Sequence, residues 1–129
     1  MASIIRRVPV DVPPDDAWER IRDLARIGEL IDFLGEVTVD GDRRSCGLGD
    51  HGRLDERILS VDDSERRLAY AITASPFGFE HHSASMQVGR RGDSTAELIW
   101  TTDYAPDALA PAVEETIDAA VDSIRRSLA

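Results

Sequence analysis

The amino-acid sequence predicts one α+β domain, residues 1–129, in which an antiparallel sheet packs against a long C-terminal helix. Three observations support this prediction. A single N-terminal strand is followed by apolar residues at helical spacing. Short alternating segments separated by turn signals fill the middle of the chain, and one long apolar stripe at helical spacing ends it. A chain of 129 residues fits one domain and can bury about two-thirds of its unfolded surface in a single core.

The N-terminal part of the chain is expected to form one strand and two short helices. Apolar and polar residues are mixed from Ser3 to Val10, and Pro9 suits an edge or terminal strand. The run Pro13 to Asp16 supplies prolines and acidic groups where a helix of about three turns begins. Gly28 interrupts that pattern, and a second short apolar turn over 30–34 ends at a glycine.

The middle of the chain is expected to form consecutive antiparallel strands. From Glu36 the apolar spacing changes to two, and Asp40 to Asp42 form a turn signal that begins a hairpin. Turn signals rich in Gly, Asp, Ser and Pro separate the segments that follow. These segments are Arg53 to Val61, Arg67 to Ala74, Glu80 to Val88 and Thr95 to Tyr104. Their regular spacing predicts an antiparallel meander.

The segment from Ala112 to Leu128 predicts a helix about 26 Å long, enough to cross a sheet. Glutamates in its first turn and arginines in its last turn suit the helix dipole. Its apolar face comprises Val113, Ile117, Ala120, Val121, Ile124 and Leu128. We expect this face, together with Trp18 of the first helix, to belong to the core.

The composition excludes some partners and compartments. The formal net charge is −10, and all 15 basic residues are arginines. Because a phosphate backbone binds a basic face, we expect no nucleic-acid partner. No run approaches the ~20 apolar residues of a membrane span, and the N-terminus lacks the apolar segment of a signal peptide. We therefore expect a cytoplasmic protein without a membrane span, either a monomer or a homodimer.

Four phrases of the sequence resemble the SRPBCC superfamily, also called START-like. They occur in this order at Val12 to Trp18, Glu56 to Asp62, Arg67 to Tyr70 and Glu97 to Trp100. The resemblance covers nearly the whole chain and implies the helix-grip fold, a curved antiparallel sheet of about six or seven strands around a long C-terminal helix. It also implies a cavity for a lipid, a polyketide or an aromatic compound. The superfamily contains both binding proteins and enzymes, so the resemblance does not choose between them.

The sequence departs from the superfamily pattern at two places. The region from Arg43 to Gly52 is short compared with the usual second hairpin. His81 and His82 stand where the superfamily often has an aromatic residue. The two histidines point to opposite faces of their strand, so we do not expect them to share a metal ion, and we expect no metal site and no cofactor.

Strand parity identifies candidate ligand-binding residues, because successive side chains of a strand point to opposite faces. Trp100 is expected to face inward, since a water-exposed tryptophan is uncommon. Parity then groups four polar or amphipathic side chains on an otherwise apolar inner face, which is typical of small-molecule sites. They are Glu56, Tyr70, His82 and Trp100. Met86, on the same face as His82, and Ile117 of the C-terminal helix complete the predicted ligand-binding set.

Each candidate also has a structural interpretation. Trp100 is either a ligand contact or core filling. His82 is either a general base or hydrogen-bond partner, or a half-exposed residue at a strand end. Glu56 is either a functional carboxylate inside the cavity or a rim residue that reaches water or an arginine. Cys46 has no neighbouring base and is expected to be a small filler.

Three functional hypotheses follow. The first is a binding or transport protein for a hydrophobic small molecule. The second is a polyketide cyclase or dehydratase, in which His82 or Glu56 moves protons while Tyr70 orients an enol or carbonyl oxygen. The third is a regulatory protein-binding domain with a collapsed cavity. A cavity of ~300 Å³ or more would favour ligand binding over the third hypothesis.

Overall fold

The computed structural model describes all 129 residues and contains one seven-stranded antiparallel sheet. Its elements are β1 (Ala2–Val10), α1 (Pro14–Arg22), β2 (Gly35–Asp40), β3 (Arg43–Gly47), β4 (Arg53–Asp62), β5 (Arg67–Ala74), β6 (His81–Arg90), β7 (Ala96–Ala105) and α2 (Ala110–Ser127). Short 3-10 turns occupy Leu24–Glu29, Gly49–His51 and Asp107–Leu109. Neither the sequence of α1 nor that of α2 is long and apolar enough to cross a membrane.

The seven strands follow the order β1-β7-β6-β5-β4-β3-β2. Strands β2 to β7 are therefore a meander, in which each strand pairs with the next along the chain. Strand β1 pairs with β7 over its whole length, which brings the N-terminus beside the last strand. The helix-grip fold that the sequence predicts is confirmed, with seven strands and a long C-terminal helix.

The structure differs from the sequence prediction in two places. Strand β3 lacks the apolar alternation that marks the other strands, and the sequence analysis did not assign it separately. The second helical segment lies at Leu24–Glu29 rather than over residues 30–34. Ser123 of α2 explains the second difference, because its hydroxyl donates to Leu30 O (2.7 Å) and accepts from Asp32 N (2.9 Å). These tertiary hydrogen bonds take the place of helical ones.

The inner face of the sheet follows the predicted parity. On β7 the alternate residues from Leu98 to Tyr104 are buried, and on β6 those from His82 to Val88 are buried. Trp18 is buried as predicted, and its indole Nε1 donates to Asp63 Oδ1 (2.9 Å). Most of α2's predicted apolar face is buried, but Ile117 is only partly buried.

The burial of α2 predicts unequal costs for two similar substitutions. Ile124 is fully buried, so Ile124→Ala should lower the free energy of unfolding by about 2 to 5 kcal/mol. Ile117→Ala should cost less, because its side chain already borders open space. Urea unfolding monitored by circular dichroism measures both changes. Equal losses in the two variants would contradict the packing described for α2.

Candidate functional site

A cavity of about 650 Å³ lies between the inner face of the sheet and α2. Sixteen of its 24 lining residues are hydrophobic. This volume is above the ~300 Å³ at which small-molecule sites begin. The interior is therefore open, which argues against the hypothesis of a collapsed cavity.

Five strands, β3 to β7, line the cavity together with α2, the 3-10 segment Leu24–Glu29 and connecting loops. Alternation along β4 to β7 turns one polar or aromatic side chain of each strand inward, and α2 covers them with small and aliphatic residues. All six sequence-predicted candidates line this space, namely Glu56, Tyr70, His82, Met86, Trp100 and Ile117. The structure thus brings together residues that are up to 61 positions apart, Glu56 and Ile117.

Eighteen of the 24 lining residues were not among the six predicted candidates, and four of these eighteen bear on the chemistry of the site. Thr102 lies two residues after Trp100 on β7 and therefore shares its inward face. Phe77 and Phe79 lie in the turn between β5 and β6, where the pattern indicated only a loop. Arg44 lies on the unassigned strand β3. Two features of the sequence could have identified these residues. Two aromatic residues lie within one turn, at Phe77 and Phe79, and Arg44 faces Glu56 if a hairpin is centred near residue 50.

Tyr70 presents a hydroxyl donor to the cavity. Trp100 Nε1 donates to Tyr70 Oη (3.1 Å), and because an indole can only donate, the phenol proton remains free for another acceptor. Burial raises the pKa of Tyr70, and the negative charge of Glu56 raises it further. Tyr70 is therefore a protonated phenol at neutral pH.

His82 presents a second donor. Its Nδ1 accepts a hydrogen bond from the backbone N–H of Ile72 (2.9 Å). Burial, together with the nearby charge of His81, lowers the pKa of His82 to about 4. The neutral ring at pH 7 then carries its proton on Nε2. That atom has no partner within the chain and is not sealed from solvent, so it reaches the space of the cavity. In this state His82 donates a hydrogen bond and does not accept a proton.

Aromatic rings continue from Tyr70 and His82 along the lining of the cavity. The ring of His82 lies 5.8 Å from that of Tyr70 and 4.9 Å from that of Phe79, measured between centroids. Phe79 in turn stacks on Phe77 at 5.3 Å. Gly78 separates the two phenylalanines and has a positive φ of 75°, a conformation that glycine adopts without strain. These four rings form an aromatic row along one wall.

Arg44 and Glu56 form an ion pair inside the cavity. They oppose each other across β3 and β4, and Arg44 Nε donates to Glu56 Oε1 at 2.6 Å. Their side chains are only 3% and 6% exposed. Arg44 Nη1 also donates to Leu24 O (3.3 Å). The pairing of Glu56 with an arginine was one of the two interpretations of this residue, but the pair lies in the interior rather than at the rim.

Cys46 is buried on the same strand as Arg44. Burial raises the pKa of its thiol to about 11, and Glu56 contributes to the rise. The thiol is therefore protonated at neutral pH and is a poor nucleophile. Cys46 acts as a small core residue, as the sequence analysis expected.

The pKa of His82 predicts a pH dependence of stability. The pKa of histidine in the unfolded chain is near 6.5, above the folded value of about 4. The unfolded chain therefore takes up the proton first, so stability is full above about pH 6.5 and falls as the pH approaches 4. His82→Asn keeps an acceptor for the Ile72 N–H but has no titrating group. As the pH falls from 6.5 to 4, the variant should therefore lose about 3 kcal/mol less of its free energy of unfolding than the wild type. Urea unfolding across this range tests the prediction, and parallel profiles for the two proteins would contradict it.

The family model described as polyketide cyclase / dehydrase and lipid transport matches residues 1–129. No curated protein matches the chain. A solution structure of a protein from Thermobifida fusca is 27% identical, with a TM-score of 0.85, and the match covers 98% of this chain and 93% of that one.

Two further solved structures share the fold at lower identity. The di-domain ARO/CYC protein BexL is 18% identical with a TM-score of 0.85, and the match covers 98% of this chain but 46% of BexL. Norcoclaurine synthase from Thalictrum flavum is 16% identical with a TM-score of 0.75, and the match covers 98% and 93% of the two chains. Because the family model spans every residue, this chain belongs to the polyketide cyclase/dehydrase and lipid-transport family of the SRPBCC superfamily.

Proposed function

We propose that this protein binds a hydrophobic small molecule between the sheet and α2 and acts as a binding or carrier protein. The observation that carries the proposal is the open, mostly apolar cavity of about 650 Å³. An empty apolar cavity of this size forfeits packing that a ligand would restore. The family match, which includes lipid transport, supports the same conclusion.

The polar groups of the cavity indicate the kind of ligand. The hydroxyl of Tyr70 and Nε2–H of His82 are donors without acceptors in the chain. A ligand with an acceptor oxygen, such as a ketone or a phenol, would satisfy them. The aromatic row favours planar rings, which pack well against phenylalanine and tyrosine. We therefore favour an aromatic or polyketide-like ligand over a simple aliphatic chain.

A cyclase or dehydratase is the second candidate function. Two donors that converge on a carbonyl oxygen would also stabilise an enolate, as an oxyanion hole does. General-base chemistry has less support, because His82 is a donor at neutral pH and Glu56 is held by Arg44. The geometry therefore supports binding more strongly than proton abstraction.

Paired substitutions on β6 test the location of the ligand. Met86 lines the cavity, whereas Gln87 lies next to it on the opposite face. Met86→Trp fills part of the cavity and should abolish saturable binding of the uncharged fluorescent probe N-phenyl-naphthylamine. Gln87→Trp adds the same bulk outside and should leave the affinity unchanged. Equal loss in both variants, or absence of binding by the wild type, would refute the proposal.

Removal of the Tyr70 hydroxyl tests whether this group donates a hydrogen bond to the ligand. Tyr70→Phe should weaken binding of acetonaphthone about tenfold, because the carbonyl loses a donor. Ethylnaphthalene has a similar shape and no acceptor, so its affinity should stay the same. Isothermal titration calorimetry with both compounds measures the difference. A similar loss for the two compounds would show that Tyr70 acts through packing and not through its hydroxyl.

A further inference from the structure

Only two charged side chains are buried in the wall of the cavity, Arg44 and Glu56. The other ionisable residues with acidic or basic side chains on its lining, apart from neutral His82, are His51 and Glu115, and both are exposed. The buried charges bond to each other at 2.6 Å, so the cavity interior carries no net charge. The net charge of the cavity interior therefore depends on one ion pair, Arg44–Glu56.

An arginine alone in an apolar cavity would be a receptor for a carboxylate or a phosphate. Its planar guanidinium binds such groups through two parallel hydrogen bonds. In this protein Nε of Arg44 is taken by Glu56, and Nη1 is turned toward Leu24 O. A ligand anion would have to shed its water without gaining a free cation, and it would meet the carboxylate of Glu56.

The pKa of Tyr70 reflects the electrostatic effect of the Arg44–Glu56 pair on the cavity. After burial, the charge of Glu56 is the strongest influence on the pKa of Tyr70, and it raises that pKa. The opposing effect of Arg44 is smaller. A ligand anion at the Tyr70 hydroxyl would be disfavoured for the same reason as a Tyr70 phenolate. An uncharged acceptor oxygen at this place avoids that repulsion.

We propose that the Arg44–Glu56 pair restricts the cavity to uncharged ligands and that Glu56 is the residue that determines this selectivity. The inference rests on the proposed function and adds the charge class of its ligand. Glu56 neutralises the one buried cation that could hold a carboxylate. Loss of the Glu56 charge should therefore convert the cavity into an anion site.

The test uses decanol and decanoate, which have equal chain length and differ in charge. Binding is measured at pH 8 by displacement of N-phenyl-naphthylamine, below the concentration at which decanoate forms micelles. Wild-type protein should bind decanol more tightly than decanoate. Glu56→Gln should improve decanoate binding about 10- to 100-fold and change decanol binding little, because Arg44 becomes free for the carboxylate.

Asp55→Asn is the matched control. Asp55 is adjacent to Glu56 but lies exposed on the other face of β4, where it accepts a hydrogen bond from Ser45. Its replacement removes the same charge from the protein without reaching the cavity. The ratio of decanol to decanoate affinity should equal that of the wild type. A shift as large as that of Glu56→Gln would mean that overall charge, and not the buried pair, sets the selectivity.

Removal of one partner of a buried ion pair is destabilising, so Glu56→Gln should be less stable than the wild type in the absence of a ligand. Decanoate should then restore folding, measured by thermal unfolding, and decanol at the same concentration should not. Failure of decanoate to do so, or an unchanged affinity ratio in a folded variant, overturns the inference and leaves the proposed function intact. Displacement of the probe by neither compound in either protein also overturns the inference, and absence of N-phenyl-naphthylamine binding by the wild type overturns both proposals.

Discussion

The cavity depends on how α2 is anchored. The C-terminal half of this helix is held by Ile124 in the core and by the hydroxyl of Ser123, which bonds to the segment after α1. Near its other end, Val113 packs with Ile4 and Tyr104 in a separate small cluster. Between these two contacts the helix spans the sheet without filling the space beneath it. An apolar cavity therefore remains between the two anchors.

The polar groups within this cavity fall into two types. Arg44 and Glu56 satisfy each other, so their main effect is to remove net charge from the interior. Tyr70 and His82 each use one bond to the chain and keep a donor for something else. Burial maintains both donors, because it keeps the phenol protonated and the imidazole neutral. The site therefore presents two hydrogen-bond donors in an interior whose buried charges neutralise each other.

The same fold is found in structures with different printed roles, among them a norcoclaurine synthase and a di-domain ARO/CYC protein. At 16% to 18% identity these likenesses establish the fold alone. Function in such a fold depends on which side chains line the cavity. For this chain, the proposal is that the Arg44–Glu56 pair selects ligands by charge and that the aromatic row selects them by shape.

The sequence by itself predicted the consecutive strands β4 to β7 and their inward residues, including Tyr70, His82 and Trp100, because alternation along a strand is a local property. Tertiary structure decided the rest. The partner of Glu56 depends on the register of β3 against β4, and β3 carries no apolar pattern. The protonation of His82 depends on its burial and on a backbone bond from β5. These features arise between distant segments, so no local pattern encodes them.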